Sequence, residues 1–422
     1  LRMLEEGGRN SYNYSRLLTS VNGTYTPIKG LDINGMLSYN YYNTVSSAFL
    51  NRMDPVNNFL TGTPINSTGV PINQLDEKWY NSGKFLAQLT AGYEKTIGKH
   101  YGKILGGVSY EDFDDKSIQV IRRNFVNNDL NAINAGSRDP LNTNSFGSIN
   151  ENAFQSVFGR FNYAYDDKYL FEASMRVDGS SQFATGNRWG AYPSFSGAWR
   201  LTQEDFMESV SWVDELKVRA SWGKLGNVSN VGNYEFYDGL NTGTAVILDQ
   251  SKQDGVWPGK IANPGLSWEK VNMTNIGLDG SLFNNKLSFQ IDAFNRMTNG
   301  ILLINPSLPD EAGLVVSTDP AANTAPSVNL AKVQNRGVEL SLTHSNRIGE
   351  FSYSIGGNFS RIWNKVSDLG GTGDQISSVY INRVGAPIGS FYMYEADGLF
   401  VNQAEVDGHA FQAVNTKPGD IK

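Results

Sequence analysis

Apolar and polar residues alternate strictly over 169–177, "YLFEASMRV", and the same two-residue rhythm resumes over 195–201. A period of two is typical of a β-strand that has one apolar and one polar face. About a dozen segments with this pattern follow one another along the chain, each roughly ten residues long, which lets a tilted strand cross a bilayer. The pattern therefore predicts an all-β, antiparallel protein whose strands are long enough for a membrane.

The segments fall into six pairs, which we expect to form hairpins. Within each pair the connection is short, except for "TQEDFMESVSWVDE", which we expect to form a short helical turn. The predicted pairs are 14–25 with 31–42, 84–94 with 103–112, 153–165 with 169–177, 191–201 with 216–224, 273–283 with 286–295, and 337–344 with 351–360.

The connections between pairs are different, because 43–83, 113–152, 225–270 and 298–335 are rich in Asn, Gly, Ser, Thr and Pro. Loops longer than about 15 residues are uncommon in compact soluble domains. Outer-membrane barrels alternate short periplasmic turns with long extracellular loops. The half-buried sheet of a soluble sandwich shows the same two-residue period, but the sorting of loops by length favours a transmembrane β-barrel.

Along these segments the charged residues occupy one of the two alternating sets of positions, and the apolar residues occupy the other. Phe171, Met175, Phe195 and Trp199 would face lipid, where a Lys or Arg at midplane depth costs about 2–4 kcal/mol. The opposite phase would face a water-filled lumen and form a conduit. We predict that its charged lining includes Arg160, Glu172, Arg176, Arg200, Lys217, Arg219, Asp292 and Glu339.

Composition removes several classes of function. The 422 residues include no Cys, so disulfides and thiolate chemistry are excluded, and the net charge of -7 without a basic stripe argues against nucleic acid as a partner. No apolar run approaches the length of about 18 residues that a spanning helix requires. The 20 Tyr, 22 Phe and 8 Trp favour β structure.

Few residues suit catalysis or metal binding. The three histidines, at 100, 344 and 409, have no evident partners for a triad or a zinc site. The acidic stretch 111–116, "EDFDDK", lacks the ligand spacing of a calcium loop, so we expect a solvated acidic base of a loop. The stretch 370–374, "GGTGD", lacks the ending of a phosphate-binding loop. We therefore predict no catalytic residue, no metal and no cofactor.

Aromatic residues at or near the predicted extracellular loops are candidates for contact with a substrate or a partner, because they bury much apolar area at little cost in rotamer entropy. We also expect Phe391, Tyr392 and Tyr394 to form a packed ridge after a turn at Gly385–Gly389. The candidate contacts are Trp79, Tyr80, Trp189, Tyr234, Phe236, Tyr237, Trp257, Phe391 and Tyr392.

Four long phrases resemble the SusC/RagA family of TonB-dependent outer-membrane transporters, and they occur in that family's order: "RVDGSSQFATGNRWGAYPSFSGAWRL", "NPGLSWEKVNMTNIGLDGSLFNNKLSFQIDAFNRMTNGILL", "NLAKVQNRGVELSL" and "RVGAPIGSFYMYEADGLF". The resemblance implies a barrel of about 22 strands closed by a plug domain. It also implies active import of oligosaccharides or peptides beneath a SusD-like surface lipoprotein, driven by the TonB complex acting on the plug. No bond in the substrate is made or broken, so we expect no enzyme.

Residues 1–422 do not include the family's plug, and we expect the plug and further family strands to lie outside this stretch. We therefore expect residues 1–422 to be an internal part of the barrel, located in the outer membrane. Two other interpretations remain open. One is a passive porin or adhesin barrel, and the other is a secreted, soluble, polysaccharide-binding β protein.

Overall fold

The computed structural model describes residues 2–248, 251–304 and 325–422. Its main feature is an antiparallel sheet of twelve strands in the order β1-β2-β5-β6-β7-β8-β9-β10-β13-β14-β15-β16. The strands, numbered along the chain, are β1 Gly8–Ile28, β2 Leu31–Leu50, β3 Val56–Asn57, β4 Pro64–Ile65, β5 Gln74–Ile97, β6 His100–Arg123, β7 Thr143–Tyr165, β8 Tyr169–Ser180, β9 Trp189–Arg200, β10 Val213–Asn227, β11 Leu240–Leu248, β12 Ser251–Pro258, β13 Glu269–Leu282, β14 Leu287–Ile304, β15 Ser327–Ile348, β16 Phe351–Asp368, β17 Gln375–Ser377, β18 Tyr380–Asn382 and β19 Ser390–Phe391.

The sheet confirms the prediction of about a dozen antiparallel strands in six hairpins, since each large strand pairs with its neighbour in the chain. The connections within the six hairpins lie at one edge, here called the short-turn edge. The long connections lie at the other, the long-loop edge, which carries the small strands β3, β4, β11 and β12. The connection 181–188 also lies at the long-loop edge, although it is shorter than the connection 201–212. The connections at the short-turn edge are 29–30, 98–99, 166–168, 201–212, 283–286 and 349–350.

The turns at the short-turn edge use residues that tolerate left-handed backbone. Asp166 and Asp167 have φ of 53° and 52°, and Asn284 and Asn285 both have φ of 60°. Aspartate and asparagine accept this conformation more readily than most residues, and turns with positive φ match the twist of a hairpin. The connection 201–212 contains two 3₁₀ turns, as its sequence predicts.

The strands extend further toward the long loops than the sequence pattern predicts. The connection expected over 43–83 is reduced to 51–73, and the one expected over 113–152 is reduced to 124–142. Polar residues continue the ladder, as in the pair Asn81 and Lys116. Backbone hydrogen bonds need no apolar side chain, so pairing persists where the apolar alternation stops. The stretch 111–116 is therefore part of β6, and its prediction as a loop base is wrong.

The fully buried side chains gather near the long-loop edge, where loops fold onto strand ends. In one cluster Phe183, Leu266 and Trp268 pack with Tyr192 and Val231. Each large apolar side chain buried in this way contributes about 1.5–3 kcal/mol. Two smaller clusters lie beside it around the sheet, one built on Phe49, Leu75 and Phe125 and the other on Ala331, Val366 and Leu369.

At the short-turn edge, the connection 201–212 is fastened to the sheet by Glu204. Tyr169 Oη and Trp199 Nε1 donate hydrogen bonds of 2.7 Å and 3.0 Å to Glu204 Oε1. Lys168 Nζ lies 3.4 Å from Glu204 Oε2. The Tyr169 hydrogen bond, with smaller help from Trp199 and Lys168, lowers the pKa of the Glu204 carboxyl.

Only two short α-helices occur in the described ranges, α1 Arg2–Glu5 and α2 Gln403–Gly408. No helix in this part of the chain has both the length and the apolar character needed to cross a membrane. Strands β1 and β16 are the two edges of the large sheet.

Candidate functional site

The pairing register assigns each side chain of the sheet to one of two faces. Trp199 lies opposite both Tyr169 and Val218. Phe195 lies opposite Trp222, and their rings stack with centroids 6.1 Å apart. Because side chains directly opposite in a sheet share a face, these residues define one apolar face that continues around the strands. We call the other side the polar face.

All eight charged residues predicted to line a conduit lie on the polar face. The register places Arg160 opposite Ser174, a neighbour of Glu172 on that face, and Asp292 opposite Glu339. The predicted apolar residues Phe171 and Met175 lie on the other face and are about half exposed, at 45% and 46%.

Three of these charged residues belong to an ion-pair network across β10, β13 and β14. Arg219 Nη2 lies 2.6 Å from Asp292 Oδ2, and Arg219 Nε lies 3.1 Å from Asp279 Oδ1. Lys217 Nζ also reaches Asp279 Oδ2, at 2.9 Å. Glu339, opposite Asp292, has its carboxylate 3.5 Å from the Ser360 hydroxyl. The positive and negative charges of this network nearly match, so the side chains hold each other in place. The network therefore leaves little net charge on the polar face.

The remaining predicted residues form shorter pairs. Arg160 Nη1 lies 4.0 Å from Glu172 Oε2, and Arg200 Nε lies 3.4 Å from Glu215 Oε1. Arg176 donates to Ser156 Oγ at 2.7 Å and to Asp178 Oδ1. Glu172, Lys217 and Arg219 meet in a depression on the polar face, whose other lining residues include Tyr101, Asn162 and Ser196.

A row of tyrosines on the polar face, here called the tyrosine platform, crosses β1, β2 and β5 near the long-loop edge. The rings of Tyr14 and Tyr42 have centroids 6.4 Å apart, and those of Tyr42 and Tyr80 are 6.2 Å apart. Tyr12 extends the row, with its hydroxyl 3.1 Å from that of Tyr42. Of the tyrosines in this row, only Tyr80 is among the predicted contacts. The alternation of tyrosines in "SYNYS" already indicates that Tyr12 and Tyr14 share one face.

Two predicted aromatic contacts lie on the apolar face instead. Trp79 is within β5, opposite Val45 and Ile118, rather than in a loop. Trp189 is the first residue of β9, opposite Gly179, and is 52% exposed. Both tryptophans lie toward the long-loop edge of the apolar face. Tryptophan near the end of an apolar face is typical of the aromatic girdles of membrane barrels.

The other aromatic residues lie beyond the sheet, at the long-loop edge. Phe236 packs between Tyr234 and Tyr237, with centroids 6.1 Å and 4.5 Å away, and Tyr237 is mostly exposed. Trp257 is on β12 and partly exposed. Phe391 stacks on Tyr380, and Tyr392 is half exposed. Tyr394 is fully exposed, so the prediction of a packed ridge is wrong at that residue.

Buried polar side chains that the sequence analysis missed fix the loops that carry these aromatics. Asn73, 2% exposed, accepts a 2.7 Å hydrogen bond from the Phe125 backbone and donates to the Asn127 carbonyl. Glu269, also 2% exposed, accepts hydrogen bonds from Asn227 and Asn230. A buried polar group must be satisfied in this way, so each of them ties two segments together.

Within the described ranges, no group of three or more His, Cys, Asp or Glu side chains is arranged to hold a metal ion. Seven of the eight predicted charged residues form ion pairs, six of them across strands, and these pairs do not converge on a point. The arrangement can line a passage and hold it open, and it offers flat tyrosine rings near its wide end.

Several known receptors have sequences similar to this chain. A family model described as "TonB dependent receptor-like, beta-barrel" matches residues 4–402. The chain is 31% identical over 355 residues to TonB-dependent receptor P3 of Formosa agariphila, which covers 81% of this chain and 34% of that protein. It is 30% identical over 262 residues to TonB-dependent receptor SusC of Bacteroides thetaiotaomicron, covering 58% of this chain and 25% of that protein.

Among solved structures, the chain is similar to the RagAB peptide importer in its "closed-closed" state. The TM-score is 0.77 at 27% sequence identity, and the match covers 92% of this chain and 41% of that one. The "open-open" state matches with a TM-score of 0.78 over 98% of this chain. The chain spans about a third of the length of receptor P3.

Proposed function

Because this chain belongs to the TonB-dependent receptor-like β-barrel family, we propose that it forms part of the wall of an active outer-membrane importer. It is an outer-membrane protein whose apolar face lies against lipid. The short-turn edge is then periplasmic and the long-loop edge extracellular. The resemblance to the SusC/RagA family predicted from four phrases is confirmed by the curated relatives and the RagAB structures.

The observation that carries the proposal is the separation of the two faces over twelve strands. An apolar face continues around one side, while seven of the eight predicted charged residues on the polar face form ion pairs. Such a wall suits a water-filled lumen, and the eight charged residues predicted from sequence would line it. Because the carboxylate partners Asp178, Glu215 and Asp279 bring these charges close to balance, we propose a cargo that is neutral or zwitterionic overall.

We propose that the cargo consists of oligosaccharide or peptide fragments and that a SusD-like surface lipoprotein covers the extracellular side. Support comes from two proteins that the chain resembles, the receptor SusC and the RagAB peptide importer. Residues 1–422 would be an internal part of the barrel, with a plug domain elsewhere in the protein providing the contact to TonB. The proteins that it resembles are receptors and importers, so we propose no enzymatic step.

Within this function, the tyrosine platform would make the first contacts with cargo on the barrel wall. Its rings lie near the extracellular end of the polar face, and Tyr12 and Tyr14 are 62% and 67% exposed. Flat rings offer apolar area, and the hydroxyls offer hydrogen bonds, which suits sugar rings or peptide side chains. The aromatic residues Tyr234, Phe236, Tyr237, Trp257, Phe391 and Tyr392 would contact cargo or the lipoprotein. Trp79 and Trp189 would anchor the barrel in the membrane.

The test is uptake of fluorescently labelled oligosaccharides and peptides by cells that express the full-length receptor, with and without a functional TonB complex. Uptake that requires TonB supports active import. Uptake or liposome conductance without TonB would instead support the passive porin. A receptor that stays soluble without detergent would support the secreted polysaccharide-binding protein.

A pair of variants tests the tyrosine platform. Tyr42→Ala removes the ring at the centre of the row and should weaken uptake at low substrate concentration more than at saturation. Tyr39→Ala, three residues away on the apolar face of β2, is the matched control. Equal effects of the two substitutions would mean that the platform has no role in binding cargo.

A further inference from the structure

Two arginines occupy the apolar face between its middle and its extracellular end, where a charged side chain costs less than at the bilayer midplane. Arg336 on β15 lies opposite Asn295 and Trp363, and Arg361 on β16 lies opposite Val338. The register therefore places both on the same face as Ile291 and Leu340. Both are exposed, so their guanidinium groups project outward from the barrel.

The two arginines are neighbours across the strand pair, and Arg361 lies over a tryptophan ring. Arg361 and Arg336 are diagonal neighbours across the strand pair, a separation of about 7–8 Å between Cα atoms. Arg361 Cζ lies 5.2 Å from the centroid of the Trp363 ring. Within the described ranges neither arginine has an ion-pair partner or a side-chain hydrogen bond. Two unpaired cations side by side attract an anion.

A groove on the apolar face begins beside Arg336. Its walls include Ile276, Ala293 and Val338, and its upper end is formed by Arg336 and Trp363. Ile276 is 59% exposed and Val338 is 40% exposed, so apolar area is open along the groove. Arg336 and Trp363 pair with each other one row nearer the long-loop edge than Ile276, Ala293 and Val338. Arg361 pairs with Val338 in the lower row, and its guanidinium lies over the Trp363 ring of the upper row. A charged headgroup at this upper row would therefore lie above an acyl chain on the lower row.

We propose that this groove binds a phosphorylated, acylated lipid of the outer leaflet. The phosphate would lie between the Arg336 and Arg361 guanidinium groups, and one acyl chain would lie along Ile276 and Val338. Arginine suits this task because its planar fork matches a phosphate and because it stacks on an aromatic ring. This inference rests on the outer-membrane location and is independent of what the barrel transports.

The experiment uses the full-length receptor in phosphatidylcholine nanodiscs that contain either diphosphorylated lipid A or its dephosphorylated form. Bound lipid is measured by native mass spectrometry and by titration with labelled lipid. We expect the wild-type receptor to prefer the phosphorylated lipid. The double variant Arg336→Gln/Arg361→Gln should bind it about 30-fold more weakly, which corresponds to about 1 kcal/mol for each cation removed.

Two further variants separate a lipid site from a general effect of charge. Arg336→Lys/Arg361→Lys keeps the charge and should retain most of the preference for phosphate. Arg296→Gln removes a cation from the polar face of β14 at nearly the same height, and it should leave lipid binding unchanged. Equal binding of both lipids by the wild type, or an equal loss in Arg296→Gln, would overturn the proposal. Heat-modifiable migration of each variant shows that the barrel has folded.

Discussion

Replacing Ile291 by lysine tests whether the apolar face meets lipid. Ile291 lies opposite Leu278 on β13 and Leu340 on β15. On β14 the apolar-face run from Leu287 to Asn295 covers about 27 Å along the strand, or about 21 Å along the membrane normal at a tilt of about 40°. Ile291 is at the middle of this run and is therefore near the bilayer midplane.

A lysine at midplane depth on the lipid face of a barrel costs about 2–4 kcal/mol. We therefore expect Ile291→Lys to lower the free energy of unfolding of the full-length receptor in phospholipid vesicles by that amount. The neighbouring residue Gln290 lies on the polar face, opposite Asp279. Because a lysine there can pair with that carboxylate, Gln290→Lys should change the free energy by less than about 0.5 kcal/mol.

The assay follows the folded, heat-modifiable band of the receptor over a series of guanidinium concentrations in vesicles. The two variants carry the same new charge at adjacent residues of the chain. A difference in their stability therefore reports only which face of the sheet carries the lysine. If Gln290→Lys lost as much stability as Ile291→Lys, or if neither lost any, the assignment of the faces would be refuted.

Three further predictions concern the loops, the periplasmic turn and the lumen wall. Asn73→Ala should lower the free energy of unfolding by about 1–3 kcal/mol and increase amide exchange at the loop that it fastens, unlike Asn73→Asp, which keeps one acceptor. Glu204, whose pKa is lowered chiefly by the Tyr169 hydrogen bond, stabilises the fold at pH values above its unfolded pKa of about 4.3. That contribution is lost as the pH falls through the lower folded pKa, so thermal midpoints measured from pH 7 to pH 3 should fall less in Glu204→Gln than in the wild type. Asp292→Ala removes a partly buried partner from the ion-pair network and should cost about 1–2 kcal/mol in vesicle unfolding, whereas Glu339→Ala, on the same face, should cost less than about 0.5 kcal/mol.

The hairpins and faces of the sheet were predictable because alternation is a local property. Leu287, Phe289 and Ile291 show their common face in the sequence alone, and Asp292 shows the opposite one. The strand ends were not predictable, because polar pairs such as Asn81 and Lys116 continue the ladder without an apolar signal. Hydrogen bonding between backbones leaves no trace in side-chain character.

The candidate site was predictable only in part, for a different reason. The phase of the alternation gives the face of Arg219, but the partners Asp279 and Asp292 come from two other strands. Likewise, the tyrosine platform needs the register between β1, β2 and β5, which decides that Tyr14 lies near Tyr42. Register depends on turn geometry and pairing, so proximity across strands requires the structure.

The order of the twelve strands bears on how such a wall can be assembled. Every strand of the sheet pairs with its nearest sheet neighbours in the chain, so each hairpin can form before the next one is synthesised or inserted. Loop closure then costs little for each added strand, since the partners are close in sequence. Contacts that join neighbouring hairpins, such as the cluster of Phe183 with Trp268 and Val231, need the strands beneath them to be in place. The sheet can therefore grow one hairpin at a time, and its loops lock neighbouring hairpins together once they are in place.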